Sequence, residues 1–448
     1  MRRPALIAAC MLAAAAVSWA RYASAGTLDA TGASAMIWPY AIVGALAAIA
    51  GWMHLTARPS SARSVVAIAI AIQVCAALAL PLTSNDLWSN VAYGRVAHLG
   101  GNPFEGGPAL LPAGDAIRAL VDARWAALPS PYGPVVMAIS IASGTASDPW
   151  IAMIVWKLAM LVASIACVFA ARVAVAGRDD AEARLALFAW CPLVAWELAG
   201  QAHNDAVLVL ALFGFVIAAT RNREVPAMIA LALGIAAKFI AAPIAGLYLV
   251  MIARRAPVRA AAYAAALAAV TVAMMLPWWH GPSTLTGLWT NVGPQIGHTA
   301  RSIGDLIYWA CDPLGPDAQR IAFRAFSLVG LAVSGAIGLL GIVRSKKIED
   351  VLHYALLFFL ASDLFAQTWF QPWYLTWLFP LAIALPDRKW LELVALYAAL
   401  TLVTYAAPID PISNVAVDLY IGWRVIAGQR ELESRSKMRM PITSATGR

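Results

Sequence analysis

The sequence predicts an all-α fold, a polytopic membrane helix bundle of about 13 spans, and three observations lead to this prediction. Hydrophobic residues make up 62% of the chain and charged residues only 12%, whereas charged residues make up about 25% of a soluble domain. Apolar runs near the roughly 20 residues that cross a bilayer recur along the chain. Many of the 18 tryptophans lie near the ends of these runs, as in the aromatic belts of membrane proteins.

The net charge of +8 comes from Arg and Lys residues that are scattered through short loops. A nucleic-acid-binding protein would gather them on one face. The enrichment of basic residues in cytoplasmic loops explains them more simply. The five cysteines show no paired spacing and indicate neither a disulfide framework nor a thiolate metal site. We therefore expect membrane lipids, and no nucleic acid, as partners.

Residues 1–82 form the first predicted unit, the amino-terminal transmembrane helices. Residues 1–25 combine two arginines with an apolar run that ends in Ala-Ser-Ala. This pattern favours an uncleaved first helix over a cleaved signal peptide. The runs 35–53 and 64–82 are long enough to span a bilayer. Arginines between these two runs place their turn in the cytoplasm, so the loop that follows faces outward.

Residues 83–133 are predicted to form an outer catalytic loop that carries juxtamembrane helices. This stretch is the longest polar interval of the chain. A connection of this length inside a helical bundle is more often functional than merely connective. Within it, we expect a short helix over 87–98.

Residues 134–407 are predicted to form the transmembrane core, with a second outer loop at 280–320. The apolar piece 134–141 is too short to span and is expected to be juxtamembrane or re-entrant. A lone charge at Lys238 predicts a hinge between two short helices. Residues 408–448 form a tail for which the sequence does not decide between crossing and not crossing. Further spans are predicted at 150–172, 185–200, 203–220, 260–279, 321–343, 351–366, 372–385 and 391–407.

Polar residues that interrupt or border the apolar runs fall mostly on the outer side of this topology. Ionisable side chains at membrane depth are costly to insert, so they usually line a cavity or meet a partner. Their collection on one side predicts a polar cavity there, whereas a transporter should carry such groups at the midplane or on both sides. These residues are Asp86, Arg95, Glu197, His203, Asn204, Asp205, Lys238, Arg301, Asp363, Gln367 and Gln371.

Asp86 lies just beyond a predicted span, beside the long outer loop. A carboxylate in this place is ionised at neutral pH and could act as general base for a sugar hydroxyl. Alternatively, Asn85 or Asp86 could cap the short helix that follows.

His203, Asn204 and Asp205 follow Glu197 closely, at a tight turn between two antiparallel helices. The turn brings together two carboxylates, an imidazole and an amide. Such a set could orient an acceptor, bind a divalent cation or transfer a proton. In the structural alternative, Asn204 or Asp205 caps the second helix and His203 fills the interface.

Lys238 is a lone cation within a long apolar stretch. It could bind a lipid phosphate at headgroup depth, or it could extend its ammonium group to the interface. Arg95 and Arg301, on the two outer loops, are further phosphate candidates.

Gln371, Trp373 and Tyr374 lie in an aromatic run that is expected at the outer interface. Aromatic faces stack on sugar rings and glutamine bonds hydroxyls, yet an interfacial belt contains the same residues. Both interpretations stay open for Trp373 and Tyr374, while the belt is favoured for Trp377.

These motifs together resemble the GT-C glycosyltransferases, polytopic enzymes that take a sugar from a polyprenyl phosphate outside the membrane. The shared features are an Asp after an early span, the loop pattern YGRVAHLGGNPF, PYGP, AHNDA, the helical lysine and QPWYLTW. Within the class, the chain is most similar to bacterial polyprenol-phosphate-mannose-dependent mannosyltransferases, including glycosyltransferase family 87 and its alpha-1,6-mannosyltransferase relatives. The similarity covers residues 83–385, and the two spans before it are an additional feature.

The resemblance implies an inverting transfer whose dependence on a metal varies, with Asp86 as base and Lys238 as a phosphate contact. His203, Asn204 and Asp205 would line the cavity. Asp86 has no adjacent second acid, so a two-carboxylate metal site is not assured, and a divalent cation stays an open expectation.

The function expected from the sequence is transfer of a hexose, mannose by resemblance, from a polyprenyl phosphate donor to a lipid or glycan acceptor. The alternatives are a lipid-linked sugar flippase or transporter, and a surface-polysaccharide polymerase or ligase. The Ala- and Arg-rich composition fits a bacterium with a GC-rich genome. We therefore expect a cell-envelope enzyme of the inner membrane, with its active face toward the periplasm or exterior.

Overall fold

The computed structural model of the chain is a bundle of helices. It describes residues 2–28, 37–59, 61–287, 303–366, 370–403 and 416–427. Within these ranges every regular element is helical, which confirms the all-α prediction.

Seventeen α-helices are numbered here in chain order, and shorter helical turns extend some of them. The α-helices are α1 (Arg2–Ala25), α2 (Ile37–Thr56), α3 (Ala62–Ala77), α4 (Asp86–His98), α5 (Pro134–Gly144), α6 (Pro149–Ala174), α7 (Ala181–Ala189), α8 (Pro192–Val194), α9 (Asp205–Thr220), α10 (Glu224–Ala237), α11 (Ala242–Ala253), α12 (Pro257–Met275), α13 (Ile303–Ala310), α14 (Pro316–Arg344), α15 (Ile348–Ala361), α16 (Leu378–Ile383) and α17 (Lys389–Val403). Residues 416–427 are also helical. Two π-helical turns lie at Ala195–Gly200 and Ser362–Ala366, and 3-10 turns include Phe239–Ala241 and Pro372–Trp377.

Five of the described helices are long and apolar enough to cross a membrane, namely α1, α2, α6, α12 and α14. Counting the bent pair Ala181–Ala189 and Pro192–Gly200, which meet at 44°, makes six. The chain is thus a multi-pass membrane protein. The predicted count of about 13 spans is not confirmed, because several predicted spans correspond to apolar helices of 10–17 residues, such as α3, α9 and α10.

Two local predictions are confirmed by the helix boundaries. The helix expected over 87–98 is α4, and the hinge expected near Lys238 is a break between α10 and the turn Phe239–Ala241. Lys238 itself is extended, with φ −152° and ψ 114°. The segment after Pro134 forms an 11-residue helix, α5, which at about 1.5 Å per residue is too short to span.

Close approach of α4 and α5 explains the glycine of the YGRV motif. A Cβ atom at Gly94 would lie 1.7 Å from the carbonyl oxygen of Ser140, and one at Gly144 would lie 2.2 Å from the amide nitrogen of Arg95. Only glycine lets the two backbones meet at this distance. The contact anchors α4 to the bundle.

The segment that follows α4 also touches the segment that follows α12. Glu105 accepts hydrogen bonds from the hydroxyls of Ser283 and Thr284, at 3.0 and 3.2 Å. Beside them, the rings of Phe104 and Trp278 lie 5.5 Å apart. These contacts join the two segments.

Candidate active site

Asp86 is the first residue of α4, and its carboxylate faces the turn between the π-helical turn and α9. Its side chain is 28% exposed, and Oδ2 lies 3.9 Å from Nε2 of His203. Asn85 makes no capping hydrogen bond and instead donates from its amide to the carbonyl of Leu120 over 2.7 Å. The alternative in which the Asn85 side chain caps α4 is therefore not observed, and Asp86 faces the turn.

Side-chain amides fix the main chain before Asp86 and at Asp86 itself. Gln201 Oε1 accepts hydrogen bonds from the main-chain N–H groups of Leu82 and Thr83, at 2.8 and 3.0 Å. On the other side, Asn90 donates to the carbonyl of Asp86 over 2.8 Å and accepts a bond of 2.9 Å from Asn204. Asn204 is thus used in this link and makes no side-chain cap of α9.

Glu197 and His203 form a buried pair beside Asp86. Glu197 belongs to the π-helical turn, is completely buried, and places Oε2 3.1 Å from Nδ1 of His203. The main-chain oxygen of Glu197 lies at the same distance from this nitrogen. The imidazole stacks on Trp373, with ring centroids 3.8 Å apart and planes at 21°. Single π-helical turns occur often at functional sites, and this one turns the carboxylate toward the imidazole.

The turn that carries His203 is fixed from α6. Trp156 donates its indole N–H to the carbonyl of Ala202 over 2.8 Å, and Lys157 donates to the carbonyl of Gly200. Ala202 has φ 58°, a left-handed conformation that an L residue adopts only when its surroundings hold it. The packing of α6 thus determines where the imidazole lies.

Opposing effects set the ionisation of His203 and Asp86. Burial lowers the pKa of His203, but the hydrogen bond and charge of Glu197, together with Asp86 and Asp205, outweigh burial and raise it. Burial raises the pKa of Asp86, although the charges of His203 and Lys238 oppose this. Each group therefore favours the charged form of the other.

Asp205 and Lys238 form a second pair. Asp205 Oδ1 accepts from Lys238 Nζ over 2.9 Å and from the indole of Trp377 over 2.5 Å. The ammonium group also lies over the rings of Tyr132, Tyr374 and Trp377, at 5.6, 5.4 and 4.9 Å from their centroids. The lysine side chain is 17% exposed and forms an ion pair with Asp205. Trp377 is buried and bonded, which corrects its assignment to an interfacial belt.

The comparisons with known proteins agree with the sequence motifs. The family described as alpha-(1->6)-mannopyranosyltransferase, N-terminal domain, matches residues 4–255 of the chain. The chain belongs to this family. The predicted resemblance to the alpha-1,6-mannosyltransferases is therefore confirmed, and it favours a membrane glycosyltransferase over a transporter.

Alpha-(1->6)-mannopyranosyltransferase B of Corynebacterium glutamicum is 32% identical over 138 residues, which are 30% of this chain and 23% of that relative. The chain therefore matches about a quarter of the relative's length. The archaeal oligosaccharyltransferase AglB from Archaeoglobus fulgidus, solved with an inhibitory peptide and a dolichol-phosphate, is similar at a TM-score of 0.34 and 16% identity. That similarity covers 84% of this chain and 52% of the archaeal one.

Most of the site lies within the segment that the mannosyltransferase family matches. Asp86, Glu197, His203, Asp205 and Lys238 belong to it. The aromatic turn Pro372–Trp377 lies beyond the segment and closes the site from the opposite side.

Other predicted site residues lie away from Asp86 or outside the residues that the structure describes. Arg95 is nine residues further along α4, roughly 13 Å away, and forms an ion pair of 2.5 Å with Asp115. It also donates to the carbonyls of Gly144 and Ala146, so it ties α4 to the end of α5. Arg301 lies outside the described residues. Gln371 is buried directly before the turn that carries Trp373 and Tyr374.

In the described ranges, no three His, Cys, Asp or Glu residues come together as metal ligands. Glu197 is directed to His203, and Asp205 is directed to Lys238 and Trp377.

Two further residues of the site, Asn90 and Tyr132, could have been predicted from the sequence but were not. Asn90 lies four residues after Asp86, on the same face of one helix. Tyr132 belongs to the PYGP motif, where Gly133 donates to the carbonyl of Ala237 over 3.0 Å. A Cβ atom at Gly133 would lie 2.1 Å from the carbonyl oxygen of Ala236, so glycine lets this turn dock against α10 and bring Tyr132 to Lys238.

Proposed function

We propose that the chain transfers mannose from a polyprenyl phosphate donor to a lipid or glycan acceptor, on the outer face of a bacterial inner membrane. The family supports the sugar and the reaction class. The observation that carries the proposal is the partly exposed carboxylate of Asp86, in a cluster whose other charged members are paired with one another.

The reaction is a displacement at the anomeric carbon. The acceptor oxygen attacks this carbon, the bond to the phosphate oxygen breaks, and the polyprenyl phosphate leaves with the electron pair. Asp86 takes the hydroxyl proton of the acceptor and becomes a carboxylic acid. A general base of this kind contributes about 10²- to 10⁴-fold in rate.

Lys238 is proposed to bind the donor phosphate. An ammonium group has three N–H donors, and one of them is used by Asp205. The remaining donors and the charge stabilise the negative charge that develops on the leaving phosphate. Asn204 and Asp205 hold the surrounding groups in place, and Gln371 and Tyr374 are proposed to face the sugar hydroxyls.

The test is transfer of radiolabel from polyprenyl-phosphate-mannose to a membrane lipid extract, with purified protein in nanodiscs. Asp86→Asn should lose at least about 100-fold in rate while keeping the thermal unfolding midpoint of the wild type. The matched control is Asp148→Asn, because Asp148 caps α6 and asparagine caps equally well.

Normal turnover of Asp86→Asn would overturn the assignment of the base. Donor left intact by the wild type would overturn the donor class. Movement of intact donor across vesicles would then test the transporter alternative.

A further inference from the structure

The imidazole of His203 has a carboxylate beyond each of its ring nitrogens. Nδ1 lies 3.1 Å from Oε2 of Glu197, and Nε2 lies 3.9 Å from Oδ2 of Asp86. Nε2 is buried and has no hydrogen-bond partner among the described residues. A neutral imidazole carries one N–H, whereas an imidazolium carries two and matches a carboxylate at each end.

Building on the proposed function, we propose that Glu197 holds His203 as an imidazolium whose Nε2–H is directed at Asp86, keeping the catalytic carboxylate ionised and oriented. His203 and Glu197 are in this proposal positioning residues, since both act through Asp86. Neither residue forms a bond to the sugar.

The geometry fixes the ring before substrate arrives. Stacking on Trp373 sets the plane of the imidazole. Both the carboxylate and the main-chain oxygen of Glu197 lie at Nδ1, which sets its rotation. The distance of 3.9 Å between Nε2 of His203 and Oδ2 of Asp86 should shorten when the Michaelis complex forms, because catalytic hydrogen bonds are often long before substrate binds.

The other cations around Asp86 already have carboxylates of their own. Lys238 is paired with Asp205, and Arg124 is paired with Asp122. His203 is the cation that stands between Asp86 and a completely buried carboxylate.

The titratable groups whose charges act on Asp86 or respond to it come from every element around it. They are Glu197 in the π-helical turn, His203 in the turn after it, Asp205 on α9, Lys238 at the break, Tyr93 on α4, Arg124 and Tyr132 in the outer loop, and Tyr374 in the aromatic turn.

The test is the pH dependence of the transfer rate under saturating polyprenyl-phosphate-mannose. Transfer requires ionised Asp86, so the rate rises through the pKa of Asp86 on the acid side. His203→Gln removes the cation, raises the pKa of Asp86 and moves the acid limb upward by about one pH unit, the size that one neighbouring charge produces. The basic limb, where the wild-type imidazolium loses its proton, should disappear. The KM for the donor should stay within about twofold of the wild-type value, because a group that acts through the base changes kcat rather than substrate binding.

Glu197→Gln provides a second, nearly isosteric variant. It removes the hydrogen bond and charge that raise the pKa of His203, so the basic limb should move to lower pH. His54→Gln and Glu224→Gln are matched controls. His54 is a buried histidine of α2 and Glu224 pairs with Arg255 and Arg259, so both should keep the wild-type profile.

A rate that falls equally at every pH in His203→Gln and Glu197→Gln would show a purely structural role and overturn the inference. If neither variant folds, the wild-type profile alone decides, since a profile without a basic limb contradicts an essential imidazolium. Activity of Asp86→Asn would instead overturn the proposed function. Loss of activity in Asp86→Asn with unmoved limbs in the two variants would leave that function intact and reject only this inference.

Discussion

Trp377 donates its indole N–H to the same carboxylate oxygen of Asp205 that accepts the ammonium group of Lys238. The tryptophan and the aspartate are 172 residues apart in the chain. The contact joins the aromatic turn at Pro372–Trp377 to α9, and it completes the shell around a buried carboxylate. The aromatic run is therefore part of the site's wall.

Replacing Trp377 by phenylalanine tests this contact. The ring over Lys238 remains, but Asp205 loses a donor, and hydrogen bonds to charged groups contribute about 1.5–3 kcal/mol. We expect a lower midpoint of thermal unfolding in detergent and a higher KM for the donor. Trp38→Phe is the control, because Trp38 is exposed. Equal midpoints for the two variants would contradict the prediction.

Lys238→Met separates the structural role of the lysine from its proposed role at the phosphate. The single change leaves Asp205 as a buried charge without its cation, which costs about 3–5 kcal/mol. Adding Asp205→Asn should restore most of the unfolding midpoint, since the uncompensated charge is removed. The double variant should still transfer mannose poorly, with the loss in kcat/KM for the donor. Full recovery of transfer together with stability would show that Lys238 only neutralises Asp205.

The parts of the site that involve residues close together in the sequence could largely be predicted. The tight turn after Glu197 correctly predicted that its carboxylate lies near His203. The lone charge at Lys238 correctly predicted a break. The pairing of Lys238 with Asp205 could also have been predicted, because α9 and α10 are helices of similar length that form an antiparallel hairpin. The end of α10 therefore returns to the start of α9.

What the sequence could not provide depends on packing between distant segments. Nothing near Trp377 indicates that its indole meets Asp205, since only the assembled bundle brings them together. The number of spans is not confirmed for a related reason. Hydropathy measures how apolar a run is, and a short helix such as α9, enclosed by α6 and α10, is as apolar as a helix that faces lipid.

Gly94→Ala tests the contact that anchors α4. The added Cβ atom would overlap the main-chain oxygen of Ser140, so α4 or α5 must shift, and such overpacking costs about 1–3 kcal/mol or more. We expect lower yield of folded protein and a lower unfolding midpoint. Gly335→Ala in α14 is the matched control, because a Cβ atom there meets nothing within 4 Å and alanine favours a helix by up to about 1 kcal/mol. A Gly94→Ala protein as stable as this control would contradict the close contact.

Gln201→Leu tests how the chain places Asp86. The leucine removes the oxygen that accepts the N–H groups of Leu82 and Thr83, and each buried donor left without a partner costs about 1–3 kcal/mol. Because these residues lead directly into α4, the carboxylate of Asp86 should lose its position, and kcat should fall more than the KM for the donor rises. Gln73→Leu is the control, since Gln73 is also buried but bonds Ser164 on α6, away from Asp86. Both variants should lose stability, and only Gln201→Leu should lose kcat by more than its folded fraction explains. A fall in kcat that merely follows the folded fraction in both proteins would show that Gln201 supports the fold without orienting the base.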